Sequence, residues 1–324
     1  MIIKKTETYY LELKEEDSKR DNHNILNSND FEFKGIDLLR AIAYMGMSPG
    51  KIASFSRKKE LEFKIAMVEH VLDINVVTVG SAKKKYIVLN EVNFSGFESA
   101  EKRAIDFWLG MFFATLLIQK QYKYNYAVHF SKYYQGGKSR HKFDFNKAIT
   151  TIKEDSKSAP DLLGLNLPND FGLFEAKGCI KYDDQTMEHA YDQVKRFATM
   201  DSVAFKHNNV LFSVLGDKDK IKIICKDPQG EEGADFDYIN ALFWQHKPLI
   251  ELVEENRSIQ KSHEYLSSEY IKFDDGNELV VSVDSKLFEL YEKAFEYLGK
   301  DDASDRIKKD FKDIFKGENL ITIK

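Results

Sequence analysis

Cysteine is almost missing from this chain: Cys179 and Cys225 are the two in 324 residues. Two thiols build neither a disulfide framework nor a zinc site, so both are excluded as organising devices. Proline is scarce, five residues beside 17 glycines, and there is no internal repeat or low-complexity tract. Collagen-like and disordered classes are thereby excluded. The longest apolar run, FWLGMFFATLLI at 107–118, falls short of the ~20 residues that a membrane-spanning helix needs. The start, MIIKKTETYYLELKEED, lacks the basic-then-apolar form of a signal peptide. No Walker-type glycine loop occurs, so no nucleotide cofactor is implied. A cytoplasmic protein without membrane contact is the expectation.

A large excess of one charge is missing too. The chain has 48 Lys+Arg against 53 Asp+Glu, a net −5, which argues against a protein that coats polyanions generically. The distribution is uneven, however. Residues 227–324 carry 13 Lys+Arg and 23 Asp+Glu, net −10, leaving 35 and 30, net +5, for residues 1–226. Basic clusters in the first part are Arg57-Lys58-Lys59, Lys83-Lys84-Lys85, Lys138 to Lys142, and Lys195-Arg196. Lys138, Arg140, Lys142, Lys195 and Arg196 are the candidates for nucleic-acid phosphate contacts, although each cluster alone reads as solvated surface. The acidic part is expected to face away from a polyanion and to serve as a homodimer or partner-protein surface.

Against these absences stand a strong helical period and a set of short apolar runs. Residues 1–95 read as an α+β accessory region. In it, RDNHNILNSND (20–30) is polar and loop-like, helices cover 36–46 and 58–74, and INVVTVG and KKYIVLNEVNF are strands around GSAKK. Positions 105, 108, 109, 112, 113, 116 and 117 fit one apolar face of a helix from about 99 to 121. NYAVHFSKYY (125–134) reads as a strand, 184–200 as a helix, and NNVLFSVLG and KIKIICKD as two further strands. DPQGEEGAD opens a C-terminal region, 227–324, expected to be mostly helical, with one hairpin turned at DDGN and a helix capped by Asp284. His129 in its apolar run reads as a packed core residue, and His141 as part of a surface loop.

The stretch that demands chemistry is SAPDLLGLNLPNDFGLFEAKG, 158–178. PNDFG is turn-forming and both flanks are apolar, so a β-hairpin is expected. Side chains alternate along a strand, so Glu175 and Lys177 project to one face while Phe174 and Ala176 project to the other. An acid and a base on a buried strand need a compensating role, because unpaired buried charge is costly. Two carboxylates, Asp161 and Glu175, suit Mg²⁺, which prefers hard oxygen ligands and completes its shell with water and substrate phosphate. Lys177 could orient a water or stabilise charge developing on phosphorus. The plainer alternative has Asp161 capping a turn and Glu175 pairing with Lys177 on an exposed strand.

Pro160-Asp161, a gap of 13 residues, and Glu175-Ala176-Lys177 together resemble the PD-(D/E)xK, or restriction-endonuclease-like, nuclease superfamily. The resemblance covers about residues 95–226 and implies an αβββαβ core with a mixed sheet, within an α/β (overall α+β) chain. It implies that Asp161 and Glu175 bind Mg²⁺, with Mn²⁺ as a substitute, and that Lys177 assists the attacking water. A Glu from the preceding helix often joins the metal site in that superfamily; Glu101 is the choice here, with Glu98 second. Gln193-Val194-Lys195-Arg196-Phe197 is similar to the Gln-x-x-x-aromatic pattern of some members, with Phe197 where Tyr is frequent, and makes Gln193 a candidate catalytic residue. The expectation is therefore a nuclease core at 96–226 that cleaves nucleic acid, with double-stranded DNA favoured and restriction or anti-phage defence as the setting. The alternatives are an RNA or structure-specific nuclease of the same fold, and a non-cleaving nucleic-acid-binding or assembly protein.

Overall fold

The computed structural model describes residues 3–16, 25–46, 57–130, 159–166, 169–234, 238–255, 260–261, 265–272, 278–296, 303–314 and 321–324. Tyr9, Leu11 and Leu13 alternate inward along β1 (Thr8–Glu16), which pairs antiparallel with β2 (Ile25–Lys34). Helices α1 (Gly35–Gly46) and α2 (Arg57–Val71) follow, then the hairpin β3 (Leu72–Val79) and β4 (Ala82–Leu89), turned at Gly80 with φ 62°. A short helix α3 (Glu91–Ser95), whose first turn is capped by Asn90 Oδ1 accepting from the Asn93 N–H at 3.0 Å, leads into the long α4 (Ser99–Lys120). Next come β5 (Tyr126–His129), β6 (Leu162–Asn166), β7 (Asp170–Cys179), α5 (Asp184–Lys195), β8 (Phe197–Met200), β9 (Val203–Ala204), β10 (His207–Val214), β11 (Lys222–Lys226) and β12 (Glu232–Ala234). The C-terminal part holds α6 (Tyr238–Glu255), β13 (Gln260–Lys261), β14 (Tyr265–Lys272), β15 (Glu278–Asp284), α7 (Ser285–Glu296), α8 (Ala303–Ile314) and β16 (Ile321–Ile323).

The chain is an α/β protein built on one large mixed sheet, in the order β3-β4-β1-β11-β10-β7-β6-β5, with β2 on β1. β1 runs parallel to β11, and β10 parallel to β7; β10–β11, β7–β6 and β6–β5 are antiparallel. Strand β1 thus extends the sheet that carries the 161–178 hairpin, so no break between sheets falls at residue 95. The main apolar cluster is likewise shared, running from Tyr9 and Leu39 through Phe112 and Leu173 to Leu242 and Val281. Buried Arg57 of α2 bonds Glu251 of α6 at 2.7 Å, and Arg40 of α1 donates to the Ile323 carbonyl at 2.6 Å, joining the first and last parts of the chain.

Several sequence expectations need correction. Part of the stretch read as loop, from Ile25 onward, is strand β2, because β1 supplies the ladder partners that its polar residues do not announce. EVNFS is helix α3 rather than a strand end, since Asn90 caps it. The helix read to 200 stops at Lys195, and Phe197–Met200 joins a small sheet with β9 and β12. In the C-terminal region the helices α6, α7 and α8 hold most of the described residues, as expected, while the expected hairpin, β14–β15, is extended into a four-stranded sheet, β13-β14-β15-β16. Asp284 does accept from the Lys286 N–H at 2.8 Å, as a cap should.

Candidate active site

The expected hairpin is present: β6 and β7 pair with Leu162 opposite Phe174. Asp161 sits at the foot of β6, where its carbonyl accepts from the Phe130 N–H at 2.8 Å. Its side chain and that of Glu175 are interlocked through the backbone. The Asp161 N–H donates to Glu175 Oε2 at 2.9 Å, and the Ala176 N–H donates to Asp161 Oδ2 at 3.3 Å. Lys177 Nζ donates to Glu175 Oε1 and stands 4.0 Å from Asp161 Oδ2. Glu175 is wholly buried, whereas the Lys177 and Asp161 side chains keep 25% and 18% of their exposure, so solvent reaches the cluster from one side.

The electrostatics follow from that burial. Desolvation and the neighbouring Asp161 carboxylate push Glu175 well above the usual carboxylate range, while Lys177 and the Asp161 N–H pull it back. Burial would lower Lys177, but Glu175 and Asp161 outweigh it and hold the ammonium above its ordinary value. Two carboxyls face one ammonium.

Opposite faces of β7 meet different helices. Val210 and Phe212 of β10 lie beside Glu175 and Lys177 and pack with Met187, Ala190 and Val194 of α5. On the reverse face Ala176 and Phe174 join the cluster of α4. Gly110 and Gly178 let α4 and β7 touch backbone to backbone: a Cβ on Gly110 would lie 2.6 Å from the Gly178 nitrogen.

The remaining candidates separate by this geometry. Buried Gln193 of α5 donates from Nε2 to the Ala159 carbonyl at 3.2 Å, two residues before Asp161, and its Oε1 is buried without a hydrogen-bond partner. The structure therefore brings Gln193 to the Pro160-Asp161 corner. Glu101 is not brought there. It is exposed on α4, on the other side of the sheet, and its Oε2 accepts from the Glu98 N–H at 2.8 Å in a capping box. Glu98 occupies the N-cap itself. Among the described residues, no group of three or more His, Cys, Asp or Glu side chains could hold a metal ion. Lys195 is half-buried and paired with Glu231 at 2.9 Å, while the Arg196 guanidinium lies 5.1 Å from the Phe197 ring. Phe197 is core, edge-on to Phe130. Lys138, Arg140 and Lys142 fall outside the described residues. His129 is buried, its N–H directed to Gln245 Oε1 at 3.5 Å.

Sequence reasoning missed Asp106. It lies on α4 against Gly178, with a buried Oδ1 that has no hydrogen-bond partner and a carboxyl pushed up to about 6 by burial. Its spacing along the helix carries no signal of that burial. Among the described residues, no helix is long and apolar enough to cross a membrane. No protein-family model, curated protein or solved structure matches the chain.

Proposed function

We propose that the chain is a Mg²⁺-dependent nuclease of the PD-(D/E)xK type, acting on phosphodiester bonds with double-stranded DNA as the favoured substrate. The observation that carries this reading is the convergence of Asp161, Glu175 and Lys177 into one hydrogen-bonded cluster with a solvent-facing side. The donor set suits the ion: two hard carboxylates side by side, with water and phosphate oxygens as the other ligands. When bound, Mg²⁺ supplies charge neutralisation at the phosphate and acidifies a coordinated water.

The protein's own residues do the rest. Asp161 and Glu175 would hold the ion, oriented by the Ala176 and Asp161 N–H groups. Lys177 keeps its proton between two acids and offers it as a donor towards the attacked phosphate or the attacking water. Gln193 fixes the Ala159 carbonyl, and so the start of β6, in place.

Supercoiled plasmid incubated with the purified chain in Mg²⁺ and in EDTA tests the proposal. Nicking or linearisation with Mg²⁺, absent in EDTA and in Asp161→Ala, is expected. Absence of cleavage on supercoiled, linear and single-stranded DNA and on RNA would favour a non-cleaving binding protein, and cleavage of RNA alone would transfer the substrate.

A further inference from the structure

Strand β3 ends the nine-stranded sheet, and among the described residues it pairs with β4 alone. The edge is eight residues long and free of bulges: Leu72–Val79 pairs without a register shift, and it contains no proline, no lysine and one acid, Asp73. Proline, inward-pointing charge and bulges are what ordinarily keep such an edge from adding another strand. Apolar surface accompanies the open backbone, with Val76 52% and Val79 48% exposed.

The outward groups can be identified. The Ile74 N–H is taken by Asp73 Oδ1 at 2.7 Å, so Ile74 faces away from β4. By the period of two, Val76 and Thr78 also present their N–H and C=O groups outward. An occupant of this edge must therefore be an extended chain that meets Val76 and Thr78 and stops before Asp73.

We infer that the occupant is a second copy of this chain, through antiparallel pairing of β3 with its own twofold mate, centred on Val77. In that register Val76 faces the mate's Thr78 and Thr78 the mate's Val76, which makes about four backbone hydrogen bonds from the outward groups of β3. Val79 falls opposite the mate's Asn75. Asp73, the strand's one ionised residue, lies beyond the paired span and keeps its bond to Ile74, so no like charges are set opposite each other. A twofold of this kind closes the interface, and both open edges are consumed.

Sedimentation equilibrium of the full chain over a concentration series tests the inference. The wild type should self-associate to a dimer. Thr78→Pro removes one outward N–H while leaving the β4 ladder intact, and Val76→Glu places charge on the paired edge; each should weaken the dimer by about tenfold or more. Mild oxidation should cross-link Val77→Cys and leave Asn75→Cys uncross-linked, because Val77 alone of the two meets its own mate. A wild type that stays monomeric at every concentration, or a dimer that both edge variants leave unchanged, overturns the inference. Cross-linking through Asn75→Cys in place of Val77→Cys overturns the register.

Discussion

Helices α4 and α5 cover opposite faces of the same two strands, β7 and β10, with different materials. On the α4 side Phe112, Phe113, Leu116 and Leu117 are buried to within 1% of completely, and Gly110 and Gly178 bring helix and strand into backbone contact. On the α5 side Met187, Ala190 and Val194 form a smaller cluster with Val210 and Phe212. In the same rows as those β10 residues, β7 carries Glu175 and Lys177. The apolar face fixes the strand, and the other face can then keep a buried carboxylate in place. An acid at this depth needs the rigid side at its back, because desolvation opposes its charge.

The comparison can be broken most severely from the rigid side. Gly110→Leu would force a side chain into the Gly178 backbone, with a loss of roughly 4 kcal/mol or more of stability. Urea or thermal unfolding should show a collapsed or absent cooperative transition, and a variant as stable as wild type would mean that the contact is slack. On the charged side the expected loss is of activity. Glu175→Gln keeps the shape but removes the charge proposed to hold the metal, and cleavage rate should fall on the order of 10³-fold with the cooperative transition retained. Lys177→Arg preserves charge but replaces a compact ammonium with a planar fork, and a loss near 10²-fold is expected in single-turnover cleavage at saturating Mg²⁺.

Smaller effects sharpen the contrast. Asp106 on α4 has a folded-state carboxyl at about 6 against an ordinary 3.8. A raised carboxyl favours the protonated folded state. Its contribution to stability is present below about 3.8 and is lost as pH rises towards 6. After discounting for its part-exposed position, about 1 kcal/mol of that pH dependence should vanish in Asp106→Asn. Equilibrium unfolding of both proteins at pH 4, 5 and 6.5 reads the difference, and parallel curves would show the carboxyl to be unperturbed. Glu101→Ala should matter least, about 0.5–1 kcal/mol from the lost cap, with plasmid cleavage unchanged. A large loss of cleavage there would restore Glu101 to the metal site.

Much of this was legible before the fold was known, and for identifiable reasons. The 161–178 hairpin, α1, α2 and α4 show their period locally, and the face shared by Glu175 and Lys177 follows from strand alternation alone. Among the strands that escaped notice, β2 has polar residues that do not announce the ladder supplied by its neighbour β1, and β8 continues the helical pattern of α5. Glu101 was chosen, with Glu98 second, because helical spacing gives the face of a residue, not the depth at which its neighbours will bury it or the part of the sheet it will reach.

The amino-acid sequence by itself determined the local elements and the chemical identity of the cluster: an acid after proline, a turn, then an acid and a lysine two residues apart on one strand. Those are consequences of backbone period and turn chemistry, which act over a few residues. Only the tertiary structure decided that Asp161 and Glu175 trade backbone hydrogen bonds, that α4 closes the opposite face, and that β1 continues the same sheet through β11. Those outcomes depend on contacts between residues tens to hundreds of positions apart, where burial and pairing of whole elements outweigh any local preference.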